Sequence, residues 1–185
     1  MMQASFHGKS AYDLPGGGSV LGECDERRRH LRLRLEAQGS SVWESEEIEL
    51  SPEPTLTHSS SVACDYVALA WEGAGVLVVL GSPWAVILDL TTGVVRQTFS
   101  VDYVGKPSLD IAALNLGSGG HLLLIASTNR VWVIDETLTP VLRYEPRFFL
   151  SGVPRLVEGA VVIPEYDFDS ENEIIEETIE LGQGL

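Results

Sequence analysis

Two stretches of this 185-residue chain repeat one another, and the repeat constrains the fold more than any other feature. Each stretch is a succession of four-to-eight-residue apolar runs broken by Gly, Pro, Asn and Ser. In the first, Cys64 to Trp71 is followed by Glu72-Gly73-Ala74-Gly75, Val76 to Leu80, Gly81-Ser82-Pro83, Trp84 to Leu90, Thr91-Thr92-Gly93 and Val94 to Val101. In the second, Ile111 to Leu116 is followed by Gly117-Ser118-Gly119-Gly120, His121 to Ala126, Ser127-Thr128-Asn129, Arg130 to Ile134, Asp135-Glu136-Thr137 and Val141 to Glu145. Val67-Ala68-Leu69 aligns with Ala112-Ala113-Leu114, Val76–Leu80 with His121–Ile125, and Asp89 with Asp135, at offsets of 45 to 47 residues. Short runs bounded by turn residues are strands. Nowhere does an apolar three-four spacing persist long enough for a convincing helix.

A period of about 40–50 residues is that of a four-stranded β-propeller blade. The segment Val86-Ile87-Leu88-Asp89-Leu90-Thr91-Thr92-Gly93 resembles the blades of WD-like and quinoprotein-like propellers. There an apolar strand ends in Asp before a short Thr-Gly turn, the Asp capping the turn and the Gly supplying positive φ. The resemblance covers residues 64 to 145, and a truncated third copy starts at Val153 with Arg155-Leu156-Val157, Gly159 and Ala160-Val161-Val162-Ile163. The His and Trp-Asp signatures of true WD repeats are absent, and two or three copies fall short of the four to eight blades that close a ring. The expected fold class is therefore all-β, with antiparallel meander repeats packed as a β-sandwich or open barrel, or forming a partial propeller. The sandwich is preferred because it needs no partner.

Outside the repeats, residues 1–30 read as an irregular segment around Pro15-Gly16-Gly17-Gly18-Ser19, and residues 31–185 as a single all-β domain. Leu31, Leu33 and Leu35 alternate with Arg32, Arg34 and Glu36, the period-two pattern of a half-buried strand. Val42 to Leu50 follows Gly39-Ser40-Ser41 and completes a hairpin that sets Arg32 and Arg34 against Glu47 and Glu49. At the other end, Ile175, Ile179 and Leu181 line a last strand, or Ile174, Ile175 and Ile179 one face of a short helix. The β-branched residues favour the strand.

The formal charge is −15, from 27 acidic and 12 basic residues. Such a chain repels nucleic acid and anionic membranes and attracts a basic partner, although acidity also simply aids solubility. Cys24 and Cys64 lack metal-like or CxxC spacing and read as free thiols. The apolar runs are too short to cross a bilayer as helices, residues 1–14 have no signal-peptide pattern, and a cytoplasmic location is the expectation.

No motif commits the chain to catalysis, and neither a cofactor nor a metal is expected. Gly8-Lys9-Ser10 mimics a phosphate loop, but the GxxxxGK spacing needs Gly where Gln3 stands. Asp167, Asp169, Glu171 and Glu173 alternate as in a calcium loop, yet the positions for its obligatory Gly and bidentate Glu hold Asn172 and Thr178. His7, His30, His58 and His121 are scattered. Acidity concentrates instead at Glu44, Glu46, Glu47 and Glu49, beside Trp43, and at Asp167, Asp169, Glu171, Glu173, Glu176 and Glu177. These residues are the candidate contacts for a basic protein, with Trp43 alternatively an edge residue covering the core. The expected function is a non-enzymatic protein-binding module. Its small size and acidity are similar to those of immunity or inhibitor proteins that neutralise a toxin. The alternatives are an assembly protein oligomerising through blade-like sheets, and a small-ligand-binding or hydrolytic enzyme on a β scaffold.

Overall fold

The alternation at Leu31, Leu33 and Leu35 places three leucines on one face of a strand, and that face founds the first sheet. In a computed structural model, which describes residues 6–14, 17–25, 30–49, 66–81, 84–100, 112–127, 130–147, 150–167, 169 and 173–182, every regular element is a strand. The chain groups into two compact units, Met1–Ser100 and Val101–Leu185. The sequence reading draws its boundary at residue 30 instead.

The first unit opens with β1 (Phe6–Asp13), β2 (Ser19–Asp25), β3 (His30–Ala37), β4 (Ser40–Glu44) and the two-residue β5 (Ile48–Glu49). They form one antiparallel sheet in the order β1-β2-β3-β4, with β5 also paired to β3. Two strands therefore lie where residues 1–30 read as irregular, a correction to that expectation. Their hidden signal is weak alternation: in β2, Val20 is buried while the odd positions Ser19 and Leu21 are only partly so. Gly8, Lys9 and Ser10 sit inside β1, opposite Cys24, Glu23 and Gly22, and are extended ladder residues rather than a phosphate loop.

The hairpin from β3 turns through Gln38 and Gly39, both at positive φ, one residue earlier than the Gly-Ser-Ser reading places it. Its register also differs from the expected one. Arg34 pairs with Glu44, and Leu31 with Ile48, so two residues of β3 (Arg32 and Leu33) face three (Ser45, Glu46 and Glu47) on the other side. That surplus residue is a β-bulge. Buried Ser45 fills the gap: its Oγ accepts the Leu33 N–H at 3.0 Å and donates to the Glu46 carbonyl at 2.8 Å.

The second sheet of this unit runs β6 (Tyr66–Trp71), β7 (Val76–Gly81), β8 (Trp84–Asp89) and β9 (Val95–Ser100) in sequence order. Val76 to Leu80 and Ala85 to Leu88 have no exposed surface, so both faces of β7 and β8 are covered, which explains their continuous apolar runs. One face joins Leu31, Leu33, Trp43 and Ile48 in a shared core. Each such side chain contributes about 1.5–3 kcal/mol through burial.

In the second unit, β10 (Ala112–Leu116), β11 (Leu122–Ser127), β12 (Arg130–Asp135) and β13 (Pro140–Tyr144) repeat that meander, and β14 (Arg155–Val157), β15 (Ala160–Asp167) and β16 (Glu173–Glu180) form a three-stranded sheet. Leu124 and Val133 of the one share a core with Val161, Ile163 and Leu181 of the other. The C-terminal segment is thus the strand expected from its β-branched residues. All four sheets are open antiparallel meanders.

The proposed repeat holds in detail at its turns. After β8, Asp89 Oδ1 accepts the N–H groups of Thr91 and Thr92 at 3.0 and 2.9 Å, while the Asp89 N–H donates to the Val94 carbonyl. After β12, Asp135 Oδ1 accepts the N–H groups of Thr137 and Thr139 at 2.9 and 3.0 Å, and the Asp135 N–H donates to the Thr139 carbonyl. The second turn is one residue shorter. Leu138, at φ +64°, takes the place that Gly93, at φ +72°, holds in the first.

Candidate functional site

The bulge decides how the first acidic cluster is displayed. Ser45 and Ile48 point inward, so Glu44, Glu46, Glu47 and Glu49 are left on the exposed side. They form one wall of a groove of about 580 Å³, whose opposite wall is the turn and first part of β9: Thr92, Gly93, Val94, Val95 and Thr98. Val94 is 63% exposed and Val95 37%, so the groove sets carboxylates across from an uncovered aliphatic pair.

The carboxylates are only partly compensated. Glu44 lies 3.8 Å from Arg32 and Glu47 3.6 Å from His30, both loose and solvent-exposed. Arg34 turns along its own strand to Glu36 at 3.1 Å. The expected pairing of Arg32 and Arg34 with Glu47 and Glu49 is corrected accordingly, because a register shift at Val42, between Leu35↔Trp43 and Glu36↔Ser41, sets Glu44 opposite Arg34, and the surplus residue beside Ser45 shifts the pairing again before Ile48. Among the described residues, Glu46 and Glu49 lie within ion-pair distance of no cation. Exposed pairs of this kind are worth about 0–1 kcal/mol, so the wall keeps a strong negative field.

Trp43 turns inward and does not line the groove. It is 8% exposed, its Nε1 donates to the Leu90 carbonyl at 2.9 Å, and its ring lies flat on Gly93. A Cβ at Gly93 would stand 2.4 Å from Trp43 Cε3, so only glycine lets the β8–β9 turn close against the ring. Trp43 is therefore the core residue of the two alternatives, and it positions the groove by fastening one wall to the other. Trp71 and Trp84 are buried as expected, whereas Trp132 is only partly buried, with the Arg143 guanidinium 5.1 Å above its ring.

The floor of the turn is held electrostatically. Arg96 donates to Asp89 Oδ2, and this guanidinium, with the Thr92 and Thr91 N–H groups, pulls the Asp89 carboxyl down to about 2. Asp135 is lowered by the Thr137 hydroxyl and by the Thr139 and Thr137 N–H groups.

The second acidic cluster lies in the other unit and behaves differently. Asp167 accepts the Asp169 N–H at 2.9 Å, and Asp169 is bound by Arg147 at 2.9 Å. Glu176 is bound by Arg155 at 2.8 Å. The Tyr144 hydroxyl meets both Glu165 and Glu177. Glu165 is 2% exposed and also accepts the Arg147 N–H at 3.2 Å. Burial, then the hydrogen bonds to the two carboxylates, raise the Tyr144 phenol above its ordinary range. Sequence reasoning missed Glu165, since a lone Glu between Pro164 and Tyr166 carries no periodic signal of burial. Glu171 lies outside the described residues, and for Glu173 only the backbone is described. Among the described residues, no group of three or more His, Cys, Asp or Glu is placed to hold a metal ion. Also among them, no helix is long and apolar enough to cross a membrane.

No protein-family model matches the chain, and no curated protein matches it. Solved structures do. The chain is similar to BamB from Moraxella catarrhalis at a TM-score of 0.54, with 16% identity over 96% of this chain and 54% of that one. The fold is propeller-like. It is also similar to a eukaryotic initiation factor (TM-score 0.47, 12% identity, 98% of this chain and 42% of that one). A further match is the WD40 domain of SCAP from fission yeast (TM-score 0.44, 10% identity, 96% and 43%). The chain spans about half the length of these proteins or less.

Proposed function

We propose that the protein is a non-enzymatic protein-binding module that uses the groove between Glu44–Glu49 and β9 to hold a basic protein. The observation that carries the reading is the wall itself: four glutamates displayed by one bulge, of which Glu46 and Glu49 meet no cation among the described residues, facing the exposed Val94 and Val95. Complementary charge speeds encounter and rejects acidic competitors, while the aliphatic pair offers the apolar contact that charge alone lacks. The net charge of −15 and the propeller-like fold support the same reading. In its most specific form, the partner is a toxin that the protein neutralises as an immunity or inhibitor protein.

The test is a pull-down from the native source with the unaltered chain and with the double variant Glu46→Lys/Glu49→Lys. The reading expects one stoichiometric basic partner, bound at least ~10-fold more weakly by the variant and increasingly released as salt rises. For the inhibitor form, adding the protein must also suppress that partner's toxicity. Recovery of no stoichiometric partner, or equal capture by both chains, refutes it. The rival role in assembly is favoured by the open sheet margins. Light scattering separates the two, because assembly requires a stable oligomer of the isolated chain at micromolar concentration.

A further inference from the structure

The two walls of the groove in the first unit differ in chemistry. One carries four glutamates, and the other, from Thr92 to Thr98, carries no charged lining residue. Arg96, the basic residue of β9, donates to Asp89 and takes no part in the lining. Buried Ile48 adds apolar surface. Trp43, with its ring on Gly93 and its Nε1 bound to the Leu90 carbonyl at 2.9 Å, fixes one wall to the other. The groove is therefore formed before anything enters it, which lowers the cost of binding.

Size limits what can enter. One helical turn, about 3.6 residues in a cylinder about 10–12 Å across and 5.4 Å long, fills about 420–610 Å³. A groove of about 580 Å³ thus holds roughly four residues of a chain. In an extended segment, alternate side chains point to opposite sides, so residues i and i+2 meet one wall and i+1 and i+3 the other. Charge then names the occupant. Glu44 and Glu47 have only the loose contacts to Arg32 and His30, and Glu46 and Glu49 meet no cation among the described residues. Two unmatched carboxylates on one wall call for two cations, and Val94 and Val95 on the other call for aliphatic side chains. A second copy of this chain, at a net charge of −15, is repelled.

We infer that the groove takes one extended segment of about four residues in which Lys or Arg alternates with an aliphatic residue. Its cations lie against Glu46 and Glu49, and its aliphatic side chains lie against Val94 and Val95. The inference rests on the protein-binding reading and names the part of the basic partner that enters the groove. Neither a run of basic residues nor a run of aliphatic ones satisfies both walls, so the order of residues is selected as well as their charge.

The probe is the peptide Gly-Arg-Val-Arg-Val-Gly, capped at both ends, titrated into the full chain and followed by the methyl NMR signals of Val94 and Val95. Gly-Arg-Arg-Val-Val-Gly has the same composition and charge but sets one cation and one valine against the wrong wall. The alternating peptide should shift both methyl pairs and bind about tenfold more tightly than the permuted one. Glu46→Gln/Glu49→Gln should weaken the alternating peptide about tenfold. Val94→Ser/Val95→Ser should weaken it more than the permuted peptide. Amide exchange in β8 confirms that both variants are folded. Equal binding of the two peptides, or no methyl shift at about 1 mM peptide, overturns the inference. Spermidine bound as tightly as the alternating peptide also overturns it and assigns the groove to free polycations. If the two peptides bind equally while a native basic partner is captured through Glu46 and Glu49, only the alternation fails and the groove reading stands. If the alternating peptide is preferred while Glu46→Lys/Glu49→Lys captures the native partner unchanged, the groove keeps its preference and the protein-binding reading of it fails alone.

Discussion

In Met1–Ser100 the two sheets are fastened by aromatic rings lying on glycines, and in Val101–Leu185 by a phenol shared between two glutamates. Trp43 rests on Gly93. Tyr66 rests on Gly22, where a Cβ would come within 2.7 Å of its ring, and its hydroxyl donates to the Val20 carbonyl at 2.8 Å. Both contacts join the first sheet to the second. In the other unit, Tyr144 of β13 reaches Glu165 of β15 and Glu177 of β16. A ring on a glycine depends on space alone, so it is intolerant of size and indifferent to pH. A phenol between carboxylates depends on protons, so it tolerates changes in size and responds to pH.

The sharpest break of this comparison is at the ring. Gly93→Ala adds a methyl inside the Trp43 contact and forces alanine to φ +72°, together costing about 2–4 kcal/mol. Trp43→Ala costs about 3–5 kcal/mol. Urea unfolding of the double variant should show much less than the sum, because the ring that the methyl meets is gone.

Next is Tyr144→Phe, which leaves Oε1 of the buried Glu165 without its phenol donor while Oε2 keeps the Arg147 N–H, and costs about 1–3 kcal/mol. The same residue makes the second unit sensitive to alkali. The folded-state pKa of Tyr144 is raised, so its contribution is fully present below the unfolded phenol value of about 10 and lost as pH rises beyond it. The protection of amides in β13 and β15, measured relative to intrinsic exchange at the same pH, should fall above that pH in the unaltered chain. In Tyr144→Phe this alkaline loss of protection should disappear.

Ser45→Ala removes the hydroxyl that bridges the bulge and leaves the buried Leu33 N–H unmatched, at a cost of about 1–3 kcal/mol and at the lower end if water enters. It should also blunt the groove, since the bulge displays the glutamates, and binding of the basic partner would report it. In acid the β8–β9 turn is the element to watch. Asp89 is held down to about 2, so its contribution is present above about pH 4 and lost as pH falls through 2. Asp89→Asn should remove that acid dependence, followed by the exchange rates of the Thr91 and Thr92 amides. The smallest effect is at Leu138, whose positive φ is the one Gly93 supplies in the sister turn. Leu138→Gly should stabilise the second unit by at most about 1 kcal/mol, since relief of strain is offset by backbone freedom in the unfolded chain.

Much of the fold was legible in the sequence because its signals are local. The capping aspartates Asp89 and Asp135, the leucine alternation in β3 and the truncated copy from Val153 all read correctly from neighbouring residues. The first two strands were missed because Pro15-Gly16-Gly17-Gly18 dominates the segment and the alternation beside it is weak. The register of the β3 hairpin was missed because two one-residue shifts, at Val42 and beside Ser45, depend on whether the ladder hydrogen bonds they interrupt can be replaced, as the Ser45 hydroxyl does for the Leu33 N–H. For the candidate site, the acidic clusters were plain as composition. That Trp43 turns inward, and that Glu165 is buried against Tyr144, depends on partners 21 to 50 residues away.

By itself, the sequence determined that this chain folds as repeated four-stranded meanders with acidity gathered at Glu44–Glu49 and along β16, since strand, turn and charge are set by residues within reach of one another. Only the tertiary structure decided which aromatic rings fasten the sheets, that the Glu44–Glu49 cluster lines a groove beside Val94 and Val95, and that Glu165 is buried against Tyr144. Those outcomes follow from packing and backbone pairing between segments far apart in the chain, and no local pattern encodes the distance between them.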